Sequence, residues 1–376
     1  MLNDSATRSD IPQANPGAFF QAHRDEVMAA VARVVDSGWY ILGNEVKAFE
    51  QEFARKFDYG GAVGVGNGTD AIALALRSLG VGRGDRVATV SHTAVATAAA
   101  IEMAGAIPVF VDINPDTYTM DPESLARTLE ASSPVKAVIA VHLYGNLADI
   151  PALQSIADKF GAQLIEDCAQ AHGAKLGGRF AGSMTEVATF SFYPTKNLGA
   201  IGDGGMVVAR DPERIRRVRM LREYGWERRY ISDLPGVNSR LDELQAAILR
   251  MRLPYLDAAN RRRAEIAAAY NDGLAGTELV LPMSQVDATQ VYHQYVVRHP
   301  GRDQFQTRLK QAGIGTNIHY PVPVHRQPAY AGRCDLDPGG LRNTDAAAAQ
   351  IVSLPMYPEL ADAAVARIVD TVRRLV

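Results

Sequence analysis

Lys196 is the residue around which chemistry can be built. It lies in the stretch 186–206, EVATFSFYPTKNLGAIGDGGM, after an apolar strand-forming run (187–192) that Pro194 breaks. A glycine-rich segment and a second apolar pair, Val207 and Val208, follow it. A lysine rooted there has a fixed backbone and an amine that can reach into a cleft. Desolvation lowers the pKa of such an amine, so its free form can attack a carbonyl, as a Schiff-base lysine must. A solvated loop lysine is the plain alternative. Of the lysines at 47, 56, 136, 159, 175, 196 and 310, only Lys196 has aromatic strand residues on one side and glycines on the other.

Two other stretches offer partners for this amine. Asp167 closes the apolar run 163–167 and precedes Cys168–Ala169–Gln170–Ala171–His172–Gly173. A carboxylate at a buried strand end is costly unless a cation faces it. A protonated pyridine nitrogen is such a cation, and an aspartate there keeps the ring protonated as an electron sink. A carboxylate capping the next turn is the alternative. Gln170 could donate a hydrogen bond to a ring oxygen. Gly66–Asn67–Gly68–Thr69–Asp70 ends a short strand and opens a helix, leaving free amides where the helix dipole favours an anion such as phosphate. A simple strand–turn–helix capped by Thr69 or Asp70 competes with that reading. Ser191 could add a hydroxyl to the same phosphate, or bond to backbone. Dinucleotide binding is disfavoured, because Thr69 stands where the third glycine of that fingerprint belongs. The sequence contains no P-loop, no His-Glu-x-x-His and no Gly-x-Ser-x-Gly.

The elements that must position these residues alternate. Helical spacing runs over 18–37 and over 44–57, where Val46, Phe49, Phe53 and Phe57 share a face. Strands are expected at 62–65, 86–90, 107–112, 136–142 and 163–167, with helices at 71–79, 93–105, 122–131 and 150–160 between them. This order predicts an α/β fold with a mostly parallel mixed sheet flanked by helices and with ligands at the C-terminal strand ends. Later helices are expected at 211–224, 241–270 (interrupted at Pro254), 303–312 and 361–375, with a strand at 292–298. The organisation expected is a loose arm over 1–17, a large domain over 18–255 and a smaller C-terminal α/β domain over 256–376.

Composition excludes several classes. The 376 residues are 47% apolar and 22% charged, with a net charge of -3, so no electrostatic pull toward nucleic acid or an anionic membrane is expected. Two cysteines make neither a metal-ligand cluster nor a disulfide framework. The polar start lacks the apolar core of a signal peptide, and no apolar run nears the ~20 residues a bilayer span needs. A cytoplasmic protein without a metal is the expectation.

Six motifs follow one another along the chain: Gly66–Asn67–Gly68–Thr69–Asp70–Ala71, then 166–173 (EDCAQAHG), 191–197 (SFYPTKN) and Gly202–Asp203–Gly204–Gly205, then 238–246 (NSRLDELQA) and His319–Tyr320–Pro321. Together they resemble the pyridoxal-phosphate-dependent sugar-nucleotide aminotransferases of the DegT/DnrJ/StrS group, within the aspartate aminotransferase superfamily. The likeness extends from Gly43–Asn44–Glu45–Val46 to Ser353–Leu354–Pro355–Met356–Tyr357. It implies fold type I and a homodimer with active sites shared across the interface. By resemblance, Lys196 attaches the cofactor and shuttles the proton, Asp167 pairs with the pyridine nitrogen and Gln170 contacts the ring. Gly68, Thr69 and Ser191 hold the phosphate, and Asn238 reaches in from the other subunit. Tyr193, Tyr224, His319, Tyr320 and His325 are candidates for sugar-nucleotide contacts. The ring face is covered in relatives by a residue near His92–Thr93–Ala94. Many carry an aromatic at the Ala94 position, and His92 is the only ring in the triplet here. The implied reaction moves an amino group from L-glutamate to a 3-keto-6-deoxyhexose on dTDP, with a 4-keto sugar as the alternative. Relatives that dehydrate their substrate have lost the lysine to histidine, which Lys196 argues against. A non-catalytic regulatory protein on the same fold is the remaining alternative, and the intact Lys196–Asp167–Gln170 set opposes it.

Overall fold

The computed structural model describes residues 10–131, 134–283 and 285–376. Residues 1–9 of the expected N-terminal arm lie outside the described residues. The described end of that arm is anchored: Ile11 is 6% exposed, and its amide donates to the Gly313 carbonyl at 2.9 Å.

The centre is an 8-stranded sheet. Its strands are β1 (Gly61–Val65), β2 (Arg86–Val90), β3 (Ile107–Val111), β4 (Val135–Val141), β5 (Gln163–Asp167), β6 (Val187–Ser191), β7 (Gly205–Ala209) and β8 (Asp335–Leu336). They are ordered β1-β7-β6-β5-β4-β2-β3-β8. β7 runs antiparallel to both its neighbours, β1 and β6, and every other pairing in the sheet is parallel. The inner strands read as continuous apolar runs because helices cover both faces.

The periodic apolar face at 44–57 does what its spacing implies. The helix Asn44–Lys56 buries Phe49 and Phe53 completely and sets them edge-on to Phe190 of β6 and Phe192 just after it, with Phe53–Phe190 centroids 5.1 Å and Phe49–Phe192 centroids 5.3 Å apart. Each such ring contributes roughly 2 kcal/mol by burial. Its N-terminus receives a carboxylate from afar: Glu243 accepts from the amides of Gly43 (2.8 Å), Glu45 (2.9 Å) and Val46 (2.9 Å), which satisfies free donors and complements the helix dipole. This helix therefore buttresses the strand that leads to Lys196.

Three departures from the expected elements have local causes. The helix expected over 18–37 divides at His23 into Pro16–Ala22 and Arg24–Ser37. The long helix over 241–270 breaks into Glu243–Arg252, a 3-10 turn Leu253–Tyr255 and Leu256–Leu274, because Pro254 lacks the amide a continuous helix needs. A helix Arg342–Gln350 runs straight into a strand Ile351–Leu354 that pairs with Tyr295–Arg298. That pair packs with Tyr270, Phe305 and Ile368 in a second core. The intervening segment, residues 324–341, leaves this core. Val324, Tyr330 and Leu341 pack on Ala98 and Phe110, and β8 extends the main sheet beside β3. No described helix is long and apolar enough to cross a membrane.

Candidate active site

β6 delivers Ser191 to its end, and the chain then folds back on itself. Phe192 N–H donates to Gly204 O, Ala200 N–H to Phe192 O and Lys196 N–H to Tyr193 O, each at 2.8 Å. Asn197 pins the turn from below: its Nδ2 donates to Asn260 Oδ1 (2.8 Å) and Val291 O (2.9 Å), and its Oδ1 faces His293 Nδ1 at 3.2 Å. With both ends tied, the Lys196 side chain is the part left to move.

Lys196 projects into a cleft of 250 Å³ at the C-terminal ends of the parallel strands. Asp167 enters from the end of β5, Gln170 from the loop after it, and Gly68 and Thr69 from the start of the helix Gly68–Ser78. Ser191 and Tyr193 complete the predicted set that meets there. Wider grooves of 660 and 880 Å³ run along the residue 42–62 surface and beside Trp39, and hold none of the candidate residues.

The charges in the cleft are poised. Asp167 is 4% exposed and accepts from the Ala169 amide at 3.0 Å, while Thr97 Oγ1 stands 3.5 Å from its other oxygen. Burial pushes its carboxyl above the ordinary value, and the Ala169 amide and Lys196 only partly offset that. Burial also lowers the Lys196 amine to about 8, against the opposing pull of Asp167. Each group is thus short of a full counter-charge, so the cleft has an unfilled demand for a cationic partner at Asp167.

The phosphate end rests on close backbone approach. A Cβ on Gly68 would stand 2.7 Å from Ser191 Cβ, and one on Gly205 would stand 2.2 Å from Asn67 O. Only glycines let β6, β7 and the helix start come together. Asn67 caps the helix by accepting from Asp70 N at 2.8 Å, and the first amides after it have no partner within the helix. Anion-seeking amides at one end and an under-compensated carboxylate at the other match a phosphorylated pyridine. The residues present fit that group.

Other predicted residues lie elsewhere. His92 does not cover the cleft. It is 1% exposed, its Nε2 lies 2.8 Å from Tyr144 Oη, its ring contacts Tyr118, and burial lowers it to about 4. Thr93 and Ala94 line the cleft instead. His319 and Tyr320 stand at the rim, where Gln170 Nε2 donates to Tyr320 Oη at 3.4 Å. Tyr224 and Asn238 are exposed and do not line the cleft of this chain. His325 is held away, with its amide and ring both on Ser91 Oγ (3.0 and 2.8 Å).

Three residues not singled out from the sequence line or border the cleft. Asp203 lines the cleft from within the Gly202–Asp203–Gly204–Gly205 motif, and Thr97 lies one helical turn after Thr93, a spacing that could have revealed it. Tyr144 orders the rim. Its hydroxyl donates to His319 O, so His92 Nε2–H must donate to Tyr144. Its amide donates to Gln170 Oε1 at 2.7 Å, which turns the Gln170 NH₂ toward Tyr320.

Behind Asp167, the buried His142, Glu166 and Cys168 converge as metal ligands could. Their geometry serves another end. Glu166 already accepts five hydrogen bonds, from His142 Nε2, the amides of Gly182, Met184 and Thr185, and Thr185 Oγ1, while His142 Nδ1 accepts from Ala148 N. Burial raises the Glu166 carboxyl, but these donors outweigh it and hold the group below its ordinary value of 4.5. A depressed carboxyl contributes stability that is complete above that ordinary value and is lost as pH falls through the folded one. Glu166→Gln is expected to cost about 3 kcal/mol at neutral pH, with a shallower acid-unfolding limb than wild type. Urea melts across pH 3–7 check this, and an unchanged acid limb would rule it out.

Residues 21–373 match the model of the DegT/DnrJ/EryC1/StrS aminotransferase family. The chain belongs to this family. Among its DegT/DnrJ/EryC1/StrS relatives, a dTDP-3-amino-3,4,6-trideoxy-alpha-D-glucose transaminase of Streptomyces venezuelae is 45% identical over 99% of this chain and 98% of that one. The crystal structure of S. venezuelae DesV superimposes with a TM-score of 0.94 at 46% identity, covering 97% of this chain and 98% of that chain. Bacillus subtilis NtdA, solved with bound cofactor PMP, gives a TM-score of 0.89 at 27% identity, over 98% of this chain and 85% of that chain. The fold is that of the pyridoxal-phosphate-dependent aminotransferases, and the protein is a pyridoxal-phosphate-dependent sugar-nucleotide aminotransferase.

Proposed function

We propose that this aminotransferase moves an amino group from L-glutamate to a 3-keto-6-deoxyhexose carried on dTDP. The observation that carries the site assignment is the convergence of Lys196, Asp167, Gln170, Gly68, Thr69 and Ser191 on one cleft. The name of the Streptomyces venezuelae relative, a 3-amino dTDP-sugar transaminase, supports position 3 and the nucleotide. When bound, pyridoxal phosphate supplies an aldehyde that accepts the amino group and a ring that stabilises charge at the carbon losing its proton. Gly68, Thr69 and Ser191 would hold its phosphate, Asp167 its ring nitrogen, Gln170 its ring oxygen and Lys196 its aldehyde carbon. Lys196, once free, would carry the proton between the substrate carbon and the cofactor carbon, and its lowered pKa of about 8 gives it a larger neutral fraction near neutrality than an ordinary lysine has. Tyr193, His319 and Tyr320 at the mouth would contact the sugar nucleotide.

The same reading includes a homodimer in which Asn238 and Tyr224 serve the partner's cleft. Their exposure supports this, as does the apolar surface of Met28, Val35, Trp39, Tyr40 and Ile41. It also includes a cytoplasmic location and the division into 18–255 and 256–376, which the separate core around Tyr270 and Tyr295 supports. Mass spectrometry of products from a panel of 3-keto and 4-keto sugar nucleotides, with L-glutamate as donor, tests the assignment. Amination confined to 4-keto substrates would overturn it.

Two further results are expected. In cofactor-free protein, labelling of Lys196 by trinitrobenzenesulfonate should rise with pH through about 8, since only the neutral amine reacts. Exposed lysines should rise near 10.4. Peptide mapping separates them, and a Lys196 profile matching the surface lysines would remove its role as a base. Tyr144→Phe deletes the bond to His319 O and should raise the sugar-nucleotide KM roughly fivefold with little change in the first half-reaction. Equal losses in both half-reactions would contradict a rim role for Tyr144.

A further inference from the structure

Beneath the Lys196 turn lies a second, smaller cavity of about 20 Å³, which shares no lining residue with the cleft. Pro194 and Thr195 of the turn, Arg252, Arg263, His293 and Glu359 border it. The two arginines are 8% and 4% exposed. A buried guanidinium needs compensation, and among the described residues neither forms an ion pair with a carboxylate. Among the described residues, Glu359 is the only acidic one that borders the cavity, and it is exposed at its rim.

The donors also outnumber their acceptors. Arg252 spends only Nη1, on Gly199 O at 2.7 Å, and lays its guanidinium over Phe19 (4.9 Å) and Phe20 (5.2 Å). Arg263 spends only Nη1, on Tyr292 O (3.1 Å), His293 O (3.4 Å) and Met356 O (3.1 Å), and its buried Nε has no partner. Each guanidinium has five N–H donors. His293 uses Nδ1 on Asn197 and is held neutral by burial, so it adds no charge. Burial lowers both arginines to about 10, Arg252 adds to the effect on Arg263, and Glu359 offsets it only in part. A group that accepts hydrogen bonds and carries negative charge would complete the compensation that Glu359 gives from the rim.

We propose that the cavity binds one small monovalent anion of halide size between the Arg252 and Arg263 guanidiniums. The volume admits one such ion, or a water in its place. Arg252 ends the helix Glu243–Arg252 and Arg263 lies in the helix Leu256–Leu274, so the ion ties two helices together under the turn that carries Lys196. The proposal stands independently of the sugar substrate and of the amino donor.

Bromide is the probe. Crystals of the wild-type holoenzyme grown with about 0.1 M bromide are expected to show an anomalous peak within hydrogen-bond distance of both guanidiniums. In solution, replacing gluconate with about 0.2 M chloride at constant ionic strength should raise Tm by about 2 °C. Arg252→Gln should abolish that rise, and if this variant does not fold, the wild-type measurements decide alone. No anomalous peak, meaning water in the cavity, would overturn the proposal. So would a peak with no chloride response in Tm, which is binding at crystal concentration only.

Discussion

Lys196→Ala is expected to abolish transamination, with a loss of at least about 10³-fold, while Tm of the cofactor-free protein stays within about 2 °C of wild type. The size follows from the roles the side chain combines: holding the cofactor and transferring the proton by acid–base catalysis, itself worth 10²–10⁴-fold. The small structural effect follows from the turn. Its shape is set by the backbone bonds of Phe192, Lys196 and Ala200 and by the Asn197 side chain, none of which uses the Lys196 amine. Removing a half-buried ammonium that burial already disfavours costs the fold little. Steady-state rates with L-glutamate, beside thermal melts, make the check. Turnover within tenfold of wild type would end the assignment of Lys196.

Asp167→Asn is expected to lower kcat by about 10²–10³-fold, in line with deleting one preorganised electrostatic partner of a developing charge. An amide can still accept from the Ala169 amide, so the loop after β5 keeps its shape. It cannot hold a ring nitrogen protonated. The effect on the cofactor-free protein has the opposite sign. The Asp167 carboxyl is raised in the fold, so its ionised form costs stability as pH rises above the ordinary value of 3.8. The neutral amide removes that cost, and the cofactor-free variant should melt at or above the wild-type temperature at pH 7. A variant both slower and markedly less stable would mean that Asp167 is a structural cap. The same substitution should move the Lys196 labelling profile to lower pH, because Asp167 is what keeps that amine protonated.

The fold was most legible where glycines and prolines punctuate it. The elements Arg86–Val90, Pro122–Ala131, Ile150–Phe160 and Gln163–Asp167 have the bounds their sequence suggests, because turn residues flank apolar runs of one period. The reversed direction of β7 was not legible, since its partners are set by tertiary contact with β1 and β6. Nor was the helix Arg342–Gln350, whose alanine run lacks a clear amphipathic stripe and meets the next strand without a turn residue. In the cleft, the strand-end residues were legible because a charged or glycine residue there is costly without a purpose. Thr97 and Tyr144 were not, as a threonine inside a helix and a tyrosine before a glycine carry no such penalty. The triplet at 92–94 did not reveal its own split: Thr93 and Ala94 turn toward the cleft and His92 toward Tyr144.

The placement of β1 at the sheet edge beside β7 has a consequence for how the protein is made. Roughly 140 residues separate Val65 from Gly205, its nearest strand partner. At translation speeds of about 5–20 residues per second, the ribosome leaves this apolar strand unpaired for roughly 7–28 s. During that interval Val63 and Val65 are exposed, and the loop from Asn67 to Thr69 cannot take its bound shape. Nascent chains halted before residue 205 should therefore engage chaperones, and those halted well beyond residue 209 should let them go.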